Sequence, residues 1–377
     1  MTDIFIQNAK IYTQDRARPW VESVLVLNSR VVAMGHPDNI LDLAPDGTPT
    51  IDVGGRLILP AFTDAHIHFH DMAERRGQVE LYTTASMDDL LARIDQHEAG
   101  LPPEAWLLGY GWNESDWPEP RFPTRHDLDT VTGGRPGIIW RTDLHAAVAN
   151  SAALEIAGID SDTPNPSSGV IDRDPDGLPT GVLRELAINL VRQIIPPTDE
   201  ATATANLLAT AADLHRHGIV SIHDQRMKDH SEEGPAALRL YTRLRDLGRL
   251  PLRVICNVEA ANMNHLIALG MESGFGDEWV RLGHIKLFAD GSLGARTAWM
   301  LNPYEGEPDN HGMYLTPPDE IAYVIGRAHR NGLAISIHAI GDRANREVLD
   351  IFEEALMMGS EHPPALPHRI EHVQTIQ

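Results

Sequence analysis

The sequence predicts an α/β fold: a (β/α)8 TIM-type barrel behind a small N-terminal β domain. Three observations carry that expectation. From Leu57 onward, short apolar runs alternate with longer helix-period stretches, the pattern of a parallel sheet covered by helices. Residues 1–56 hold only short apolar or alternating runs between turn formers. Histidines and one buried-type lysine fall in or at the ends of several later runs, where a barrel assembles its site.

In chain order, 4–9, 23–28 and 30–34 read as strands and 39–43 as a short helix. This makes 1–56 a small β domain and 57–377 the barrel. Later strand candidates are 57–62, 106–110, 137–140, 219–222, 252–258, 284–288, 333–337 and 369–373. Helix candidates are 87–98, 181–195, 201–217, 235–247, 319–331 and 343–358. The 106–110 and 137–140 strands are excluded from the barrel. A parallel crossover needs a dozen or more residues, usually a helix, and Pro118, Pro120 and Pro123 interrupt the stretch between them. Residues from about 71 to 185 therefore read as an insertion after barrel strand one, with 160–180 as a surface loop. Six barrel strands remain, so the barrel is expected to be incomplete at the C-terminus. Its two open edges would favour association with copies of itself, and turnover by this chain alone would be weak or absent.

Composition narrows the functional classes. A net charge of −23 repels phosphate backbones and argues against nucleic acid. Cys256 is the only cysteine, so neither an intrachain disulfide nor a cysteine-rich zinc site can form. The N-terminus has no basic segment followed by an apolar one, and no apolar window is long enough to span a membrane. The expectation is a cytoplasmic protein acting on a small molecule.

The chemistry concentrates in a few positions. In Asp64-Ala65-His66-Ile67-His68, two histidines two apart on a strand point to one side and can share a metal. Two half-buried strand histidines would read the same way. His338 and His372 each end an apolar run, and four imidazoles at strand ends suit Zn²⁺ or a similar divalent ion. Lys286 lies inside an apolar strand. Burial makes its amine nucleophilic and able to capture CO₂ as a metal-bridging carbamate, unless it pairs with a carboxylate such as Asp290 or Asp224. His145 and Trp112 are candidates for lining the substrate pocket, against roles as a capping histidine and a packing tryptophan. Asp290 begins Asp290-Gly291-Ser292-Leu293-Gly294, a site loop or simple turn chemistry.

Pro60-Ala61-Phe62-Thr63-Asp64-Ala65-His66-Ile67-His68 resembles the first-strand signature of the amidohydrolase superfamily. Gly109-Tyr110-Gly111-Trp112, Asp143-Leu144-His145, Gly177-Leu178-Pro179-Thr180-Gly181, His338-Ala339-Ile340-Gly341-Asp342 and Arg369-Ile370-Glu371-His372 are similar to one branch, amidohydrolase family 3 or the YtcJ-like group. That branch includes N-substituted formamide deformylases. The resemblance covers essentially the whole chain. It implies one or two divalent metals held by His66 and His68 from strand one, Lys286 (as amine or carbamate) from strand four, and His338 and His372 from strands five and six. It also implies a ligand-and-base Asp at the end of strand eight, which would lie beyond Gln377. No catalytic base is therefore assigned within the chain. The implied activity is hydrolysis of an amide or similar C–N bond by metal-activated water. A deaminase, an ester or lactone hydrolase, or a non-catalytic metal-binding barrel remnant stands as the alternative.

Overall fold

The computed structural model describes residues 3–227, 236–357 and 359–377. Two compact units divide the chain: Met1–Thr63 with Gly218–Val220, and Asp64–His217 with Ser221–Gln377.

The first unit is built on two small sheets. One orders Arg30–Gly35, Ser23–Leu27, Ile4–Gln7 and Thr50–Asp52; the other orders Trp20–Val21, Lys10–Tyr12 and Leu57–Ile58. Alternation explains its core: Phe5 and Leu25 point inward from paired strands and meet Ile40, while their sequence neighbours are more exposed. Ile40 sits on a short helix, Pro37–Leu41, whose proline occupies the first turn, where a missing N–H costs nothing. The run 57–62, expected as the first barrel strand, is split. Leu57–Ile58 pairs with Lys10–Tyr12, and a new strand begins only at Phe62, because Pro60 cannot donate to a ladder.

A parallel sheet of six strands, all but the first two residues of β1 and of β2 within the second unit, comprises β1 (Phe62–Ile67), β2 (Ile219–Met227), β3 (Arg253–Glu259), β4 (Val280–Phe288), β5 (Ala334–Ala339) and β6 (Arg369–His372), adjacent in that order. The sheet curls. β1 and β6 are its two edges, yet the His66 ring lies 2.7 Å from the Glu371 carboxylate and Arg369 Nη2 donates to the Ala65 carbonyl at 2.9 Å. This is the arc of a TIM-like barrel, and the polar groups inside it satisfy one another. Gln225 donates to the Ala65 carbonyl and accepts from Asn257 and Ser336.

Helices cover the outside. Glu200–Arg216 is capped by the Asp199 carboxylate, which accepts from Ala201 N and Thr202 N, and it ends in His215 and Arg216, favourable beside the helix C-terminus. Pro318–Arg330 repeats apolar residues at helical spacing. Ile321, Val324, Ile325 and Ala328 pack on Ile285, Leu287, Ile335 and Ile337 of β4 and β5, together with Val348 and Phe352 of Asp342–Met357. Truncating Ile335 to Ala in that core would cost about 2–5 kcal/mol. The expected helices 235–247 and 343–358 begin or end on Pro235 and Met358, which lie outside the described residues; their described parts are Ala236–Asp246 and Asp342–Met357. Among the described residues no helix is long and apolar enough to cross a membrane.

Residues between β1 and β2 form a separate sheet, ordered Gly169–Arg173, Pro179–Glu185, Ala146–Ala149, Gly137–Arg141, Leu107–Trp112 and Val79–Glu80. The strands around 106–140 pair here and not with the barrel, but they pair parallel to each other: the crossing judged too proline-rich for a parallel connection makes one, through the short helix Arg125–Asp129. Two expectations fail. The segment 181–195, read as one helix, is helical only over the 3-10 turn Leu186–Ile188 and the single α-turn Asn189–Arg192, and it begins with the strand Pro179–Glu185. The loop 160–180 contains its hairpin partner, Gly169–Arg173. Pairing on both sides of Pro179–Glu185 buries Val182 and Leu183, so tertiary contacts override the helical period.

Candidate active site

The curl of the sheet carries the predicted histidines to one cavity. His66 stands near the end of β1, His68 just past it, His338 in β5 and His372 at the end of β6. Their rings form a row: His68 to His66, 5.7 Å between centroids; His66 to His372, 4.8 Å; His372 to His338, 4.6 Å. Lys286, only 2% exposed on β4, opens on the same cavity of ≈1510 Å³. Its Nζ lies 4.8 Å from the centre of the Phe288 ring. In-register pairing puts Phe288 beside His338 and Ala339 beside His372, so three neighbouring strands end in site residues.

Hydrogen bonds orient the rings. His66 Nδ1 donates to Glu371 Oε2 at 2.7 Å, which turns its Nε2 to the cavity. His338 Nε2 donates to the Gly291 carbonyl at 2.9 Å, leaving Nδ1 as its lone-pair nitrogen. Burial pushes the His338 imidazolium well below its ordinary range and holds His372 at about 4, with neighbouring cationic groups adding to the effect. Both rings are therefore neutral at pH 7. Burial alone would raise Glu371, but the His66 ring and the Ser336 hydroxyl bond to it and hold it at about 2, an ionised acceptor.

A second wall comes from the inserted sheet. His145 lies 5.2 Å from the His338 ring, and its Nδ1 donates to Glu185 Oε2 at 2.8 Å. Burial opposes charge on His145, but the Glu185 carboxylate outweighs it and raises the imidazole above its ordinary value. The other Glu185 oxygen accepts from the Thr297 hydroxyl, on the loop after β4. Asp143 bonds the same loop through the Ser292 hydroxyl at 2.8 Å and holds Arg141 at 2.7 Å. Two glycines admit these contacts. A Cβ at Gly291 would collide with Glu185 and Thr297, and one at Gly294 with Arg141 and Asp143. Leu144, next to His145, and Glu185 itself hold left-handed backbone at φ 66° and 51°. Such strain costs about 1–3 kcal/mol per residue and persists only where surrounding structure enforces it.

Two predicted residues lie elsewhere. Trp112 is fully buried in the core of the inserted sheet, against Phe122, with its Nε1 donating to the Ile139 carbonyl at 3.4 Å; it packs and does not line the cavity. Asp290 is also fully buried. Its carboxylate accepts from Trp299 N, Ile340 N and Gly341 N at 2.7–2.9 Å, pinning the loop after β5 to the loop after β4. Burial raises it to about 6. Asp224 does similar work. It accepts from Phe69 N, His70 N and the Tyr241 hydroxyl, fixes the turn behind His68, and is raised by burial to about 7.

Sequence reading missed Glu185, Glu371 and His70. Glu371 had a signal, since it precedes His372 in a strand; Glu185 sat in a segment read as helix. His70, directly after the His66–His68 pair, is 8% exposed. With Asp71 and Glu74 it makes a group whose ligand atoms all lie within 4.8 Å of one another, lining the same cavity. Arg192 stands 3.5 Å from Asp71.

Comparison with known proteins matches this arrangement to a family. The sequence profile of the amidohydrolase family covers residues 49–377. YtcJ of Bacillus subtilis, described as an amidohydrolase, is 31% identical over 97% of this chain and 68% of its own length. The N-substituted formamide deformylase of Arthrobacter pascens is 28% identical over 94% of this chain and 66% of its own. The crystal structure of a metal-dependent hydrolase from Pyrococcus furiosus superposes with a TM-score of 0.71 at 30% identity, covering 100% of this chain and 73% of that one.

Proposed function

The chain belongs to the amidohydrolase family, and from that premise we propose that its histidine-lined cavity cleaves an amide or similar C–N bond of a small molecule by metal-activated water. One observation carries the reading: the row His68, His66, His372 and His338, with buried Lys286, on one cavity wall. The donor chemistry fits a divalent ion, zinc above all, because His338 and His372 are held neutral and neutral imidazole is the ligand form. His66, His68, His338 and His372 would hold one or two ions, with Lys286 as amine or carbamate. A bound ion of this kind supplies water that ionises near neutral pH and polarises a carbonyl.

The chain's own residues supply the rest. Glu371 and the Gly291 carbonyl choose which nitrogens of His66 and His338 face the cavity. His145, held by Glu185 through Nδ1, turns Nε2 to the substrate's polar group. Asp290 acts on substrate only by fixing the two loops beneath it. The choice of a C–N bond is supported by the likeness to the formamide deformylase. The chain spans about two thirds of the length of the curated relatives above, so the activity is proposed for the whole protein.

Chelation should abolish amide hydrolysis by the whole protein, and Zn²⁺ or Mn²⁺ should restore it; turnover that survives metal removal would overturn the mechanism. His66→Ala should lose bound metal and activity together. Full metal content by elemental analysis in that variant removes His66 from the ligand set.

A further inference from the structure

Apart from the histidine row, a second group of ligand-type side chains lines the cavity. His70, Asp71 and Glu74 sit on the short helix Phe69–Glu74, which follows β1. His70 and Glu74 are four residues apart and share one helix face. The helix is held firmly. Fully buried Phe69 stacks on Tyr241, 6.1 Å between ring centroids. The Asp224 carboxylate accepts from Phe69 N at 3.1 Å and from His70 N at 3.4 Å. Side chains carried by such a backbone are preorganised.

The imidazole of His70 is the unexplained member. The residue is 8% exposed, yet neither ring nitrogen has a hydrogen-bond partner among the described residues. Glu74 Oε1 stands 3.7 Å from His70 Nδ1, beyond hydrogen-bond length. Buried polar groups are as a rule paired, so a ring without a protein partner that opens on a cavity points to a ligand. Carboxylates flank it on the same helix. Asp71 is buried and stands 3.5 Å from the Arg192 guanidinium; Glu74 is part-buried.

We propose that His70, Asp71 and Glu74 bind a divalent transition-metal ion, zinc above all, at a site separate from the one built on His66, His68, His338 and His372. The three ligand atoms already lie within 4.8 Å of one another. Around zinc, with bonds of about 2.0–2.2 Å, ligand atoms stand at most about 4.4 Å apart, so side-chain shifts of under about 1 Å close the set. One imidazole and two carboxylates suit such an ion, and three protein ligands leave a position open toward the cavity. The ion replaces Arg192 as the cation beside Asp71.

Equilibrium dialysis of the whole protein against Zn²⁺, read by elemental analysis, tests the site. His70→Gln and Glu74→Ala should each hold one zinc fewer per chain than wild type, with folding checked by circular dichroism. Glu74 is part-buried on a helix that alanine favours, so its variant carries the test even if the buried His70→Gln misfolds. Equal zinc content in wild type and Glu74→Ala would overturn the site. Arg192→Met should tighten the extra ion about threefold, the worth of a partly screened ion pair. Weaker binding there would take Asp71 out of the ligand set and overturn the proposal. A His66→Ala background tells the two sites apart. In it, Glu74→Ala should still remove one zinc. If His66→Ala alone already removes that ion, the group is an extension of the histidine row and the separate site falls.

Discussion

Two histidine–glutamate pairs line the same cavity. On the barrel, His66 meets Glu371 at 2.7 Å; on the inserted sheet, His145 meets Glu185 at 2.8 Å. The distances are alike and the surroundings are not. Glu371 also accepts from Ser336 and Arg369, and the imidazoles next in the row, His372 and His338, are kept neutral by burial and by each other's neighbours. Burial opposes charge on His145 too, yet its carboxylate partner tips it toward the charged form. A histidine–carboxylate contact therefore does not by itself define a role. The balance of desolvation and nearby charge holds His338 and His372 neutral on the barrel wall and shifts His145 on the insertion wall toward its charged form.

Substitutions separate the two walls. The largest effect on stability is expected at neither pair: Trp112→Ala removes the largest fully buried side chain of the inserted sheet and should cost about 3–5 kcal/mol in denaturant unfolding. If it also abolishes zinc binding, the walls are not separable. Glu371→Gln should weaken zinc binding about 10–100-fold in a competition titration, because it frees the orientation of His66. Unchanged zinc affinity would strip the barrel pair of its orienting role. Glu185→Gln should leave zinc affinity alone and lower kcat/KM by the equivalent of about 1.5–3 kcal/mol, the worth of a hydrogen bond to a charged group. A loss of zinc in that variant would make the two pairs equivalent after all.

The smallest effect, and the sharpest, is in pH. His372 falls from an ordinary 6.5 to about 4, so between those values the unfolded chain binds more protons. Its contribution to stability is present above 6.5 and is lost as pH falls toward 4. His145 is raised above 6.5, so its contribution is present below 6.5 and is lost as pH rises through the folded value. In metal-free protein, Glu185→Gln should flatten the alkaline-side loss and His372→Asn the acid-side loss, read as unfolding midpoints across pH 4–9 relative to wild type. The same change in both variants would show that the two walls titrate as one.

Much of this protein could be read in one dimension because barrel chemistry sits where apolar runs end. His66, His68, Lys286, His338 and His372 lie in or directly after strands whose composition marks them, whereas the 106–140 strands stand outside the barrel because of the partners they pair with, the prolines at 118, 120 and 123 notwithstanding. Partners are another matter. Glu371 is 305 residues from His66, and Glu185 is 40 from His145, in a segment whose helical period lost to strand pairing on both sides. Trp112 and Asp290 carry residue types at home in either a site or a core; burial sent one into the packing of the inserted sheet and the other beneath two loops. The sequence by itself determined which side chains stand at strand ends, because periodicity and turn chemistry are local. Only the tertiary structure decided which of them touch and which carry charge, because desolvation and Coulomb interactions depend on neighbours the chain brings from far away.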